Sequence, residues 1–203
     1  MSSTKDLNTR RLILLALLTA IVVVLQFLAI ALRPFFPMFT VSLVLLPIAV
    51  GASLLGVLAG GWLGFAFGAI VLLSGDAAAF YTIDPMATVL IVLLKGTLAG
   101  LAAGVSYKLL ERVNRTLATI TAAVLCPIVN TGIFLVGSYV FFLPTLTEWG
   151  LGSGYSTATA YIFFGLIGFN FLFEFGSNLV LSPTIVRLTQ YGQSLGKNTD
   201  TNK

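Results

Sequence analysis

The feature that most constrains this chain is a run of 21 residues, 12–32, without a single charge and almost wholly apolar. At 1.5 Å rise per residue such a helix is about 30 Å long, the thickness of the hydrocarbon core of a bilayer. The run is also longer than the apolar core of a cleavable signal peptide, so it reads as a membrane span. The rest of the chain agrees. Of 203 residues, 58% are apolar and only 9% charged, and mean hydropathy is +1.02. A soluble domain is about a quarter charged. There is too little polar surface here to face water, so lipid is the solvent for most of the chain.

Several chemistries are excluded at once. There is no histidine, which removes most zinc sites, imidazole acid–base catalysis and Ser–His dyads. Gly152-Ser153-Gly154 is therefore read as a loop and not a nucleophile. No acidic cluster suggests a metal, no cofactor motif is present, and no catalytic residue is assigned. Cys126 is the single cysteine, so no intrachain disulfide forms. The net charge of +4 is scattered over segment ends without interleaved aromatics, which argues against a nucleic-acid partner.

Charges, prolines and polar clusters divide the chain into six spans, at about 12–32, 41–55, 57–73, 86–107, 117–143 and 157–186. The expected fold is all-α, a single transmembrane domain over 1–203. Spans two and three are short and nearly continuous, so a tight turn must join them. Asp84 and Pro85 carry the signature of a helix start, a capping carboxylate with proline at the first position. Residues 108–115 form a charged connector and 150–156 a flexible loop, and the tail after Arg187 is expected to fray. Positive residues gather on one side: Lys5, Arg10 and Arg11 before the first span, Lys108, Arg112 and Arg115 in the connector, and Arg187, Lys197 and Lys203 after the last. The opposite loops hold Arg33 with Asp76, Asp84 and Glu148. Both termini are expected in the cytoplasm.

Lys95 remains, ten residues into the fourth span, about 15 Å below the outer surface. An ammonium at that depth is costly unless paired or hydrated. Either it pairs with Glu174, or it faces a pocket and meets an anionic ligand. Asn170, Glu174 and Asn178 recur at four-residue spacing on one face of the sixth span. Asn130 sits mid-way along the fifth, after Pro127, which frees the carbonyl of Ala123. With antiparallel neighbours, Lys95, Asn130 and Asn170 fall at similar depth, with Glu174 one turn deeper. Such convergence makes either a pocket or an interhelical hydrogen-bond knot. The outer segments look like a lid: Asp76, Phe80 and Tyr81 in one, Phe35, Phe36 and Phe39 in the other, although aromatics also anchor spans at the interface. Glycines at four-residue spacing, Gly56 to Gly68 and Gly96 to Gly104, read as close helix packing. Ala16 and Ala20 form a small-xxx-small pair that either packs inward or docks a partner helix.

With these residues in place, the chain resembles the substrate-binding S components of bacterial energy-coupling factor (ECF) vitamin transporters, over about residues 8–190. The likeness rests on size, six spans, the short second and third spans, and Ala16-x-x-x-Ala20. It rests also on the stretches Leu73-Ser74-Gly75-Asp76-Ala77-Ala78-Ala79-Phe80, Leu93-Leu94-Lys95-Gly96 and Pro127-Ile128-Val129-Asn130-Thr131-Gly132-Ile133-Phe134. Within the family the pantothenate-specific type is most similar. The resemblance implies capture of a vitamin near the outer face of the bacterial cytoplasmic membrane. It implies association with a transmembrane coupling subunit through Ala16 and Ala20, and energy from two cytosolic ATPases, since this chain has no phosphate-binding Gly-Lys-Ser/Thr loop. Lys95, Asn130, Asn170, Tyr81, Phe80, Asp76, Glu174 and Phe36 would bind the vitamin. The alternatives are another vitamin (folate, cobalamin, riboflavin) or a stand-alone transporter coupled to protons through Glu174. The internal repeats that would favour the latter are not evident. An intramembrane enzyme is disfavoured by the missing histidines and acidic clusters.

Overall fold

The structure is a computed structural model. It describes residues 2–32 and 43–200, with the backbone alone for 2–7, 169, 185 and 188–200. The first outer loop, with Phe35, Phe36 and Phe39, and the start of the second span lie outside the described residues. Among the described residues every element is helical. In chain order these are α1 (Ser2–Leu32), α2 (Leu45–Leu55), α3 (Val57–Leu73), α4 (Ala78–Tyr81), α5 (Pro85–Leu110), α6 (Arg115–Phe141), α7 (Leu143–Gly152), α8 (Ala158–Ala160) and α9 (Gly168–Asp200). A π-helical segment, Tyr161–Ile167, joins α8 to α9.

Local chemistry sets the helix starts. Asp84 accepts a 3.0 Å hydrogen bond from the Ala87 amide, Pro85 supplies the first helical φ, and the Thr88 hydroxyl donates back to the Asp84 carbonyl. Asn114 caps α6 in the same way through the Leu117 amide. Between α2 and α3 a single residue, Gly56, turns the chain at φ +97°, a conformation that disfavours any side chain.

Asn8–Leu32, Pro85–Leu110 and Arg115–Phe141 are each long and apolar enough to cross a membrane. A fourth candidate is a broken span, Ala158–Ile167 with Asn170–Thr184, bent by 44°. The helices α2 and α3 are apolar but shorter. Their shortness is explained by position. Most of α2 is buried, and it touches α1, α3, α5, α6 and α9. It is the hub of the bundle and meets little lipid. The outer surface is apolar instead of polar: Leu12, Ile13, Leu17 and Val24 of α1 and Val136 and Val140 of α6 are all more than half exposed. Such a continuous apolar surface is at home in hydrocarbon.

The tightest interface is the antiparallel pair α3 and α5. Gly60 and Gly64 face Gly100 and Gly96, and a Cβ added to any of the four would collide with a backbone carbonyl of the opposing glycine. The stripes thus hold two backbones together where lipid offers no hydrophobic drive.

Three local readings of the sequence are revised. The fifth span ends at Phe141, and α7 restarts at Leu143 with Pro144 in its first turn. A proline there disfavours continued helix in the residue before it. This short helix takes up the first three residues of the 150–156 loop. The sixth span is not one straight helix: it bends between Ile167 and Asn170, just after its π segment. Beyond Arg187 the backbone remains helical to Asp200.

Candidate functional site

The side chains that interrupt the apolar runs converge. A cavity of about 270 Å³ opens between α1, α3, α4, α5, α6 and α9. On α5, Thr88, Ile91, Val92 and Lys95 share one helix face and line it. Asn130, Thr131 and Phe134 line it from α6, and Asn170, Phe171 and Glu174 from α9. The π segment contributes Leu166 and Ile167. π-Helical turns inside longer helices recur at functional sites.

Lys95 is the one cation among the lining residues, which also include the carboxylates of Asp76 and Glu174. Its ammonium sits 5.8 Å from the ring centre of Phe67 and 5.3 Å from that of Phe134. Among the described residues no carboxylate forms an ion pair with it, although Glu174 is near enough for the two charges to act on each other. Asn130 is only 5% exposed, and its Oδ1 is buried without a hydrogen-bond partner. Leaving such an acceptor unmatched costs about 1–3 kcal/mol. Asn178, one turn beyond Glu174 and outside the lining, has a similarly unmatched Oδ1. Cys126, one turn from Asn130 along α6, is buried with its Sγ 3.9 Å from the Leu45 carbonyl.

The turn 74–77 and α4 lie at the cavity. Phe80 packs on Phe134, Phe142 and Trp149 with ring centres 5.5, 5.1 and 5.9 Å away. Asp76 accepts a 2.8 Å hydrogen bond from Gln26 of α1.

Of the residues singled out from sequence, Lys95, Asn130, Asn170, Phe80, Asp76 and Glu174 all line the cavity. Tyr81 does not; it is 49% exposed. Phe36 lies outside the described residues. Sequence reasoning missed Gln26, Thr88, Phe134, Phe142 and Phe171. A signal existed for the first two. Gln26 is the only amide in an otherwise apolar span, and Thr88 stands two turns before Lys95 on the same face. The phenylalanines have no such contrast.

Ala16 and Ala20 are exposed on α1. They line a groove with Leu12, Leu15, Thr19, Val23 and Trp62, and the Trp62 indole donates a 3.2 Å hydrogen bond to Thr19. Of the two readings of the pair, the inward-packed one is therefore set aside.

An all-helical membrane bundle that encloses a small mixed polar and aromatic cavity belongs to the class of proteins that hold small solutes. The substrate-specific component of ECF transporters is the family that matches, over residues 10–186, and this chain belongs to it. Members are substrate-binding parts of transporters and not enzymes; they bind a small molecule and associate with an ECF module. No curated protein and no solved structure gives a significant match.

Proposed function

We propose that this chain captures pantothenate from outside a bacterial cytoplasmic membrane and delivers it through a transmembrane coupling subunit powered by two ATPases. The observation that carries the reading is the cavity: its one cation contacts two phenylalanine rings, and its lining includes Asn130, whose carbonyl oxygen has no hydrogen-bond partner. The ammonium meets the pantothenate carboxylate. Asn130 accepts from the amide or a hydroxyl of the ligand, and Asn170 serves the remaining polar atoms. Phe80, stacked among Phe134 and Phe142, covers the gem-dimethyl group. Asp76 and Glu174 accept from hydroxyls. Phe36 and Tyr81 cover the ligand from the outer side. The volume favours a compact ligand, since about 270 Å³ is just below the roughly 300–1,000 Å³ of ligand sites. Folate, riboflavin and cobalamin are all bulkier than pantothenate.

The topology we propose counts α1, α2, α3, α5, α6 and the bent α8–α9 unit as six spans of one domain, with both termini in the cytoplasm. The positive flanks support that orientation. The exposed Ala16–Ala20 face of α1 docks the coupling subunit.

The test is equilibrium binding of labelled pantothenate to the purified chain and to Lys95→Met. A hydrogen bond to a charged group contributes about 1.5–3 kcal/mol, so the variant should bind roughly 10- to 100-fold more weakly. Equal binding by both proteins would remove Lys95 from the site and the pose with it.

A further inference from the structure

One long-range polar contact is not needed for binding the vitamin as described above. Gln26 lies 50 positions from Asp76 in sequence, yet its Nε2 donates to Asp76 Oδ2 at 2.8 Å. Gln26 is 1% exposed. It belongs to the inward stripe of α1, with Leu18, Val22 and Ala29, all of them buried. Ala16 and Ala20 are on the outward side of the same helix. Both partners of the contact line the cavity.

The segment carrying Asp76 is short and is held at two points. It leaves α3 through Ser74 and Gly75, the latter at φ +76°, and returns to α5 at the Asp84 cap. Between these, Phe80 is fixed by the rings of α6 and α7. The hydrogen bond to Gln26 is one of the contacts that hold Asp76. A buried amide matched to a carboxylate is a directional, charge-assisted contact, stronger than a neutral one. Without it, an apolar span would have no reason to carry a glutamine at this depth, since an unmatched amide there is costly.

We propose that Gln26 is a positioning residue: through Asp76 it latches the turn 75–79 onto α1, and breaking that hydrogen bond lets this turn move from the cavity about Gly75 while Phe80 stays held by its rings. This rests on the reading of the cavity as the substrate site.

The experiment needs no knowledge of the substrate. A cysteine is placed in the cavity as Thr131→Cys, and its labelling by a small water-soluble methanethiosulfonate is timed in detergent. Cys126 is buried, so the parent chain supplies the background rate. In this background Gln26→Leu, which removes the donor, and Gln26→Glu, which sets two carboxylates against each other, should each raise the labelling rate about tenfold or more. The swap Gln26→Glu with Asp76→Asn restores a donor opposite an acceptor and should return the rate to near that of Thr131→Cys alone. Elution volume and thermal midpoint identify any variant that fails to fold. If Gln26→Leu does so, the comparison of Gln26→Glu with the swap still decides. Unchanged labelling in folded Gln26→Leu or Gln26→Glu would overturn the latch, as would a swap that labels as fast as Gln26→Glu. A chain that fails to bind pantothenate but shows this labelling pattern keeps the latch and loses the vitamin.

Discussion

An ammonium in the middle of a bilayer costs about 2.5–3.5 kcal/mol or more, and a ring contact contributes about 0.5–2 kcal/mol. Two rings on Lys95 therefore offset much of the cost, with Glu174 acting on the charge from beyond ion-pair distance. Without ligand, Lys95→Met should consequently keep the thermal midpoint of the wild type or raise it, while pantothenate binding falls. A midpoint several degrees lower would mean that the lysine is structural. Asn130 separates pocket from knot in the same way. Asn130→Leu removes the unmatched Oδ1 at similar volume, so stability should hold while affinity drops about tenfold or more. In a hydrogen-bond knot the same change would cost stability first. These residues were legible in the sequence because a polar group in an apolar run stands out. Phe134, Phe142 and Phe171 were not, because one phenylalanine among many carries no mark of which face it occupies. Tyr81 lies off the cavity: on a short helix Phe80 points into the ring cluster and leaves Tyr81 outward.

The pair α3 and α5 positions Lys95, which precedes the contact residue Gly96. Gly64→Ala puts a methyl group against the Gly96 carbonyl, and neither backbone can yield without parting the helices. Overpacking of this kind costs about 1–3 kcal/mol, to be read as a lower thermal midpoint together with weaker ligand binding. Gly132→Ala is the control. A Cβ there meets nothing within 4 Å, and alanine is favoured over glycine in a helix by about 0.5–1 kcal/mol, so its midpoint should hold or rise. Glycine spacing announced this interface in advance, and the Asp84-Pro85 cap announced the start of α5, since both are local patterns with one physical meaning. The bend of the last span was hidden. A π segment depends on packing around Tyr161–Ile167 and leaves no periodicity for sequence to display. The hub position of α2 was hidden too, because a short apolar helix looks alike whether it faces lipid or five neighbours.

At the scale of the whole molecule, apolar surface outside and polar groups within a small cavity set out a protein that lives in lipid and holds a solute. The exposed alanines of α1 and the cavity are separate on this body, so their functions should separate. Ala16→Leu with Ala20→Leu should leave vitamin binding unchanged within about twofold and abolish co-purification with the coupling subunit. If the pair still co-purified, docking would lie elsewhere. Helical class, span character and family were legible from composition and motif, whereas the choice of vitamin depends on the shape of one cavity. The most direct test of that choice is thermal stabilisation of the purified chain in detergent across a panel of B vitamins. Selective binding to the folded state adds about 2.7 kcal/mol of apparent stability at a hundredfold excess over Kd. The account predicts a clear rise in midpoint with pantothenate, none with folate, riboflavin or cobalamin, and loss of the rise in Lys95→Met. A rise with one of the larger vitamins and none with pantothenate would contradict it.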